Sequence, residues 1–236
     1  LHPVFYSGIT LKKEYQRVLK LLPTVKILIG SSDGCLATLG AGVWDNGMAT
    51  ITIEDSGAFR IIGDKIIEDP KQQIFNYLLT EKHIITGGPT SNGGVIFNWF
   101  TKQFGDFQKA FDVDQSMEML IEEAAGAEVG SGGLIFLPFL HGERAPIWNP
   151  NSRGCYFGIN IRHERKHFIR ATIEGILYEM YSIGRTLEKH RHIKSLSING
   201  SFASIPFCTQ IIADIFNKPV CTLSYGDSIG KGAFLL

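Results

Sequence analysis

The sequence has little cysteine and lacks a cysteine pair at metal-binding spacing. Four cysteines occur in 236 residues, at positions 35, 155, 208 and 221, and none forms a Cys-x-x-Cys motif. Four cysteines without a Cys-x-x-Cys motif are more typical of free thiols in a reducing compartment than of disulfides, which are the alternative. We therefore expect free thiols and a cytoplasmic location.

The chain also lacks an excess of charge and a long apolar run. Lys and Arg together number 23, as do Asp and Glu, so no basic excess favours nucleic acid or an anionic membrane. The longest apolar stretch, Leu134–Leu140, is interrupted by Pro138 and is too short to span a bilayer. We expect no nucleic-acid or membrane partner. The apolar content of 44% is enough for one large domain, or for a domain plus a fragment.

Both ends of the sequence have features of a truncated chain. The first residue is Leu rather than Met, and the last five residues, Gly-Ala-Phe-Leu-Leu, have the pattern of a helix that has no cap. We expect the chain to be part of a longer protein.

Hydrophobic periodicity predicts a mixed α/β protein. The strongest helical pattern covers His167–Lys189, and a short amphipathic helix is predicted over Leu11–Leu22. Val25–Gly30 has the composition of a buried strand. The other predicted strands are Ala49–Asp55, Gly57–Ile62, His83–Thr86, Leu134–Pro138, Ser195–Asn199 and Pro219–Leu223, and the other predicted helices are Gly94–Phe104, Met117–Ala125, Ile205–Phe216 with Ser204 as its N-cap, and one from Gly230. Strands that alternate with helices indicate the α/β class.

Three predicted strands run into glycine-containing turns, at 30–34, 87–94 and 200–201. Ligands of open α/β sheets bind at such strand ends, and glycine lets backbone N–H groups approach a phosphate. Each turn alone is more typical of an ordinary tight connection, and none has the Walker pattern or a Gly-x-Gly-x-x-Gly between a strand and a helix. Phosphate binding therefore stays open on this observation.

Asp33 directly follows the predicted strand Val25–Gly30 and its turn. A carboxylate at this place can face a cleft and accept a proton from an attacking hydroxyl. An Asp before a glycine, here Gly34, is also a common turn-stabilising residue. The residues alone favour the turn role.

The segment His163–His167 fits the His-Glu-x-x-His pattern of zinc proteases. Zinc needs two His on one helical face and a third ligand. The motif here lies at or before a helix start, contains Arg165 and Lys166, and has no third ligand at protease spacing. We do not expect metalloprotease chemistry.

Several long segments, in one order, resemble the FGGY family of carbohydrate kinases. Residues 30–37 (Gly-Ser-Ser-Asp-Gly-Cys-Leu-Ala) resemble the catalytic-Asp segment in the form seen in gluconate kinases. Residues 87–94, followed by Trp99, resemble the adenosine-side loop and helix, and residues 200–210 resemble the phosphate loop. Residues 137–150 are the most specific match, because they contain the family's Gly-Glu-Arg-Ala-Pro signature.

The resemblance implies an actin-like ATPase (ribonuclease H-like) fold. Residues 1–48 would be the end of an N-terminal sugar-binding domain, and residues 49–236 a C-terminal nucleotide-binding domain that is truncated at its end. The implied reaction is ATP-dependent phosphorylation of a sugar or sugar acid, gluconate to 6-phosphogluconate, with Mg²⁺ and with Asp33 as general base. A kinase for xylulose or another sugar and a catalytically degenerate relative are the alternatives, and a homodimer is compatible with the resemblance.

The resemblance also assigns nucleotide contacts. It implies that Ser56 and Gly57 approach the phosphates, that Gly94 and Asn98 lie near the adenosine, and that Gly200 and Ser201 cradle the diphosphate.

The chain departs from the family pattern at three places. Glu54-Asp55 stand where relatives carry Gly-Thr, and two carboxylates would repel a polyphosphate unless Mg²⁺ or their rotamers offset them. Ser201 replaces a second glycine of the phosphate loop, which adds a Cβ where close backbone approach matters. Ile205 replaces a polar residue. These departures put ATP affinity in question.

Overall fold

The protein is described from a computed structural model, which covers residues 6–45, 47–105, 113–222 and 227–236. The helices are α1 (Lys13–Val18), α2 (Asp33–Gly40), α3 (Gly94–Phe104), α4 (Val113–Ala125), α5 (Arg165–Glu188), α6 (Pro206–Phe216) and α7 (Ser228–Leu235). The strands are β1 (Met48–Ile53), β2 (Gly57–Gly63), β3 (Phe75–Leu78), β4 (Ile84–Thr90), β5 (Ile135–Leu137), β6 (Cys155–Phe157), β7 (Ser195–Gly200) and β8 (Val220–Thr222). The predicted α/β class is confirmed.

A six-stranded mixed sheet organises the fold, with strand order β3-β4-β2-β1-β7-β8. Strand β1 pairs antiparallel with β2 through a tight hairpin and parallel with β7, which in turn pairs parallel with β8. Strands β5 and β6 form a separate two-stranded ladder. The ends of β1 and β7 therefore lie side by side at one edge of the sheet.

One face of the sheet is buried against α5. Ile51 of β1 and Phe59 of β2 point to this face and are fully buried together with Ile176 and Ile183 of α5. The period of two in the strands and of 3.6 in the helix brings these apolar side chains into one layer. Burial on this face holds the β1–β2 hairpin in place.

The opposite face carries a smaller core beneath α2. Cys35 and Leu39 of α2 pack with Ile62 of β2 and Ile85 of β4. This packing sets the first residue of α2, Asp33, above the sheet next to the β1–β2 hairpin.

Helix α7 crosses α2 at very short range. A Cβ added at Gly40 would overlap the carbonyl oxygen of Ser228, and one added at Gly232 would overlap the carbonyl oxygen of Leu36. Small residues are what allow two helix backbones to approach this closely.

The prediction of a buried strand at Val25–Gly30 is wrong. Val25, Leu28 and Ile29 are 46%, 52% and 48% exposed, and the only pairing of this segment among the described residues is a single bridge between Ile27 and Ile9. The composition is typical of a strand, but a strand is stable only where neighbouring strands and a packed face receive it. The predicted helix at Leu11–Leu22 is likewise shorter, as α1, and buries none of its residues.

Two element ends also differ from prediction. Strand β4 continues through Gly87 and Gly88 to Thr90, so these glycines lie inside the sheet and not in a turn. Ser204 is not the N-cap of α6, because its Oγ donates to Ser201 O at 2.7 Å and Ile205 takes the cap position. Strands β3 and β6 were not predicted, since both are short. The predicted end of the last strand, at Leu223, lies outside the described residues.

All four cysteines are free, as expected. Burial raises the pKa of the Cys208 thiol to about 12, so this side chain is an inert core group.

No helix within the described ranges is long and apolar enough to cross a membrane.

Candidate active site

Three turns meet at the edge of the sheet where β1 and β7 end. Residues 54–56 connect β1 to β2, and the N–H of Gly94, the first residue of α3, donates to Glu54 O at 2.6 Å. On the other side, Ser201 Oγ donates to Ile53 O at 3.2 Å. The tertiary structure thus joins the predicted turns at 87–94 and 200–201 through the β1–β2 hairpin.

The glycines of these turns have different physical roles. Gly200 has φ of 91°, and a Cβ there would overlap the carbonyl oxygen of Ile53, so β7 can run this close to β1 only with glycine. A Cβ at Gly57 would instead lie 2.9 Å from Met180 Cε, on the core side. Gly57 therefore serves the packing of the hairpin on α5. The Ser201 side chain is accommodated through its bond to Ile53.

A first cavity of about 920 Å³ opens beside Gly200 and Ser201. Its further walls come from α6, which contributes Gln210, from the connection after α6, which contributes Lys218, and from the start of β8. Glu54 of the β1–β2 turn closes one side. Backbone groups at a tight turn next to a helix start form a surface suited to phosphate.

A second cavity of about 450 Å³ lies between α2 and the sheet. It is lined by Asp33, by Ser56 and Gly57 of the hairpin, and by Arg60 and Arg144. Glu54 lines both cavities and so marks their junction. Gly94 and Asn98 line neither, and Asn98 lies farther along α3 as a half-buried side chain.

Asp33 is the first residue of α2, whose N-cap is Ser32 with its Oγ accepting from Cys35 N at 3.3 Å. The Asp33 side chain is exposed to the second cavity, and its Oδ1 accepts from Gly34 N at 2.7 Å. Its Oδ2 makes no hydrogen bond to the described residues. The turn role and the cleft-facing role are therefore compatible, because one oxygen orients the side chain and the other is free to accept a proton.

Arg60 was not predicted as a site residue. It is the partly buried member of the otherwise buried strand β2, and its side chain enters the second cavity. Burial lowers the pKa of the Arg60 guanidinium, and the nearby Cys35 and Asp33 oppose this shift. A single Arg in the apolar predicted strand Gly57–Ile62 was the available signal, since Arg is rarely buried without a reason.

Arg144 reaches the same cavity from the Gly-Glu-Arg-Ala-Pro segment. Its Nη2 donates to Thr90 O at 2.6 Å, and its Nε is buried without a partner among the described residues. The preceding Glu143 is buried and accepts hydrogen bonds from Thr90 Oγ1 at 2.8 Å and from Asn92 Nδ2 at 2.7 Å. The segment is thus fastened to the end of β4, and this attachment places Arg144 in the wall of the second cavity.

A second buried carboxyl group lies behind Glu143. Glu179 of α5 is 6% exposed, and its Oε1 has no partner among the described residues. Burial, with a further contribution from the negative charge of Glu143, raises the pKa of Glu179 to about 8. Glu179 is therefore mostly protonated and neutral at pH 7.

The His-Glu-x-x-His segment has a structural role at the start of α5. His167 Nδ1 accepts from Glu164 N at 2.9 Å as half of a capping box. His163 Nδ1 accepts from Asn160 N at 3.0 Å. The described part of the chain contains no group of three His, Cys, Asp or Glu side chains arranged to hold a metal ion.

Comparisons with known proteins agree on one family. Residues 64–236 match the C-terminal domain of the FGGY family of carbohydrate kinases. The chain is 36% identical over 220 residues to a gluconokinase of Bacillus subtilis (strain 168), with 91% of this chain and 43% of the relative covered. It is 31% identical over 233 residues to a xylulose kinase of Lactococcus lactis subsp. lactis (strain IL1403), with 95% and 44% covered. The chain thus spans less than half the length of these curated relatives.

Among solved structures, the crystal structure of gluconate kinase from Lactobacillus acidophilus superimposes with a TM-score of 0.86 at 35% identity. The match covers 96% of this chain and 45% of that one. The fold is the actin-like ATPase fold that the resemblance implied. The chain belongs to the FGGY family of carbohydrate kinases.

Proposed function

We propose that this chain supplies the catalytic base and the nucleotide-binding side of an ATP-dependent carbohydrate kinase whose acceptor is gluconate and whose product is 6-phosphogluconate. The observation that carries the proposal is the junction of the two cavities at Glu54. One cavity contains Asp33 and the other contains Gly200 and Ser201. The proposed base and the proposed phosphate-binding turn thus lie on opposite sides of Glu54. This arrangement suits transfer of a phosphoryl group from ATP in one cavity to an acceptor hydroxyl in the other.

In the proposed reaction the acceptor hydroxyl lies against the free oxygen of Asp33. As the hydroxyl oxygen bonds to the γ-phosphorus, Asp33 takes the hydroxyl proton, and the bond from the γ-phosphorus to the bridging oxygen of ADP breaks. Ser56, Gly57, Gly200 and Ser201 are the proposed phosphate contacts. Gly94 and Asn98 stay proposed contacts of the adenosine.

The residues present fit Mg²⁺ bound together with ATP. Glu54 is exposed at the junction of the two cavities, and carboxylate oxygens are preferred Mg²⁺ ligands. Mg²⁺ would offset the charge of the phosphate oxygens. Glu54 and Asp55, which replace Gly-Thr of the relatives, would then bind the metal and would not simply repel the phosphates.

We also propose that the boundary between the sugar-binding domain and the nucleotide-binding domain lies between residues 48 and 49. Asp33 and α2 then belong to the end of the sugar-binding domain, and the sheet from β1 onwards belongs to the nucleotide-binding domain. The close crossing of α2 and α7 would be a contact between these two domains.

A xylulose kinase is the second candidate, because a xylulose kinase is 31% identical over nearly the whole chain. The test uses the full-length protein with ATP and Mg²⁺, offers gluconate and xylulose separately, and measures ADP release. We expect turnover with gluconate. No ADP from a normally folded protein with either acceptor contradicts the kinase proposal and favours a degenerate relative.

A further inference from the structure

The side chain of Arg60 lies on the face of β2 that is turned to α2. It is in register with Thr50 of β1 and Gly87 of β4. A Cβ at Gly87 would be 2.9 Å from Arg60 Cγ. Because Gly87 has no side chain, the Arg60 side chain has room on this face of the sheet to reach the cavity.

The partly buried charge of Arg60 is only partly compensated, by the nearby Asp33. Its hydrogen bond within the described residues joins Nη1 to Thr52 Oγ1 at a long 3.4 Å. No carboxylate of the described part of the chain comes within ion-pair distance of its guanidinium. A cation that is partly removed from water and weakly paired favours an anionic ligand that can complete its hydrogen bonds.

Arg144 brings a second guanidinium to the same cavity. Its buried Nε is unpartnered within the described residues, and the two arginines are close enough for the charge of Arg144 to lower the pKa of Arg60. Two like charges that face one cavity repel each other unless an anion lies between or beside them. Planar guanidinium groups are well suited to bind a carboxylate in two places.

The guanidinium of Arg60 lies against the start of α2, because Nη1 donates to Thr52 Oγ1 and a Cβ added at Gly34 would be 2.7 Å from Nη2. The backbone of Arg60 is three strand residues, roughly 10 Å, from Gly57, and its charged end lies beside Gly34, the neighbour of Asp33. The γ-phosphate has to stay near Ser56 and Gly57. The acceptor, with one hydroxyl at Asp33, occupies the rest of the cavity where Arg60 enters.

We propose that Arg60 is a specificity-determining residue that binds the carboxylate of a sugar-acid acceptor, supported by Arg144, and so selects aldonates over uncharged sugars. This inference rests on the proposed function, because it takes Asp33 as the base to which the acceptor hydroxyl is presented.

The experiment compares Arg60→Gln with the unchanged full-length protein. Steady-state kinetics are measured with gluconate and with xylulose at saturating ATP, and gluconate binding without nucleotide is measured by calorimetry, with glucitol as its uncharged counterpart. We expect kcat/KM for gluconate to fall about 10- to 100-fold, mostly through KM, with little change for xylulose or in the KM of ATP. Arg60→Lys should restore part of the gluconate affinity. Arg185→Gln, at an exposed arginine of α5, is the matched control and should leave kcat/KM for both acceptors unchanged.

Several outcomes would overturn the inference. An equal loss of kcat for gluconate and xylulose means that Arg60 acts only on Asp33, and a raised KM for ATP means that it binds phosphate. Glucitol binding as tight as gluconate binding also contradicts it. Gluconate binding that depends on Arg60 in a protein without turnover would support the inference and contradict only the proposed kinase activity.

Discussion

At the scale of single residues, Asp33 has one carboxylate oxygen occupied and one free. The bond from Gly34 N to Oδ1 holds the side chain at the start of α2, and the cavity in front of it is continuous with the Ser56–Gly57 turn. In the proposed role as base, a carboxylate held in this way needs no rearrangement before it accepts a proton. Its contribution should therefore be to the chemical step and not to nucleotide affinity.

Replacing Asp33 by Asn tests this directly. We expect Asp33→Asn to lower kcat by about 10²- to 10⁴-fold while largely keeping ADP affinity, because the amide keeps the shape but cannot accept the proton. Steady-state kinetics and ADP titration measure the two quantities. Asp64→Asn, at an exposed carboxylate away from the cavity, is the control. Weak ADP binding with unchanged turnover per bound substrate would refute the role of Asp33.

At the scale of elements, α5 carries a carboxyl group that only its neighbours explain. Glu179 lies on the face of α5 that is buried, and the opposing group is Glu143 of the Gly-Glu-Arg-Ala-Pro segment. Two buried carboxylates cannot both ionise cheaply, so one proton is retained. The attachment of this segment to α5 should therefore depend on pH.

The direction in which stability changes with pH follows from the raised pKa of Glu179. The folded state holds this proton up to about pH 8, while the unfolded state releases it near pH 4.5. Stability contributed by Glu179 is thus complete below about pH 4.5 and declines as the pH rises towards 8. We expect Glu179→Gln to match the unchanged protein in acid and to exceed it at pH 9 by on the order of a few kcal/mol. Urea unfolding at pH 5 and 9 measures this, with the exposed Glu118→Gln as control. Parallel pH curves for Glu179→Gln and the unchanged protein would show the prediction wrong.

The crossing of α2 and α7 gives a second prediction at this scale. Gly232→Ala adds a methyl group that overlaps the Leu36 carbonyl, so the helices must separate. We expect a loss of about 1–3 kcal/mol in unfolding free energy, together with reduced turnover, since α2 carries Asp33. Gly47→Ala is the matched control, because its nearest neighbours would be at 3.4 Å, an ordinary contact. Unfolding in urea compares the two, and equal stabilities would mean that the crossing adjusts freely.

At the scale of the whole molecule, the chain contains the proposed base and phosphate turns but spans 43% of its gluconokinase relative. Val25, Leu28 and Ile29 are exposed here, and the proposed acceptor cavity is open. We expect the isolated 236-residue chain to phosphorylate no sugar, because the proposed sugar-binding domain is represented only by its end. A coupled ADP assay on the isolated chain beside the full-length protein measures this. Gluconate phosphorylation by the isolated chain would contradict the proposal that sugar binding requires the rest of the N-terminal domain.

The sequence by itself determined the α/β class, most of the helices and strands, and the family. Helix α5 was predicted within two residues at its start and one at its end, because its apolar residues keep a long helical period that few alternatives share. The ordered motifs predicted Asp33 and the glycine turns as site residues because their signal is likewise local in the chain. Short strands such as β3 carry too few residues for a periodic signal.

Only the tertiary structure decided which distant groups meet. Strand register brings Arg60 opposite Gly87 and under Asp33, and packing brings Glu179 behind Glu143. It also decided that Val25, Leu28 and Ile29 are exposed, although the composition of their segment predicts a buried strand. These outcomes depend on contacts between residues far apart in sequence, whose free energies are set by burial and pairing and not by local propensity.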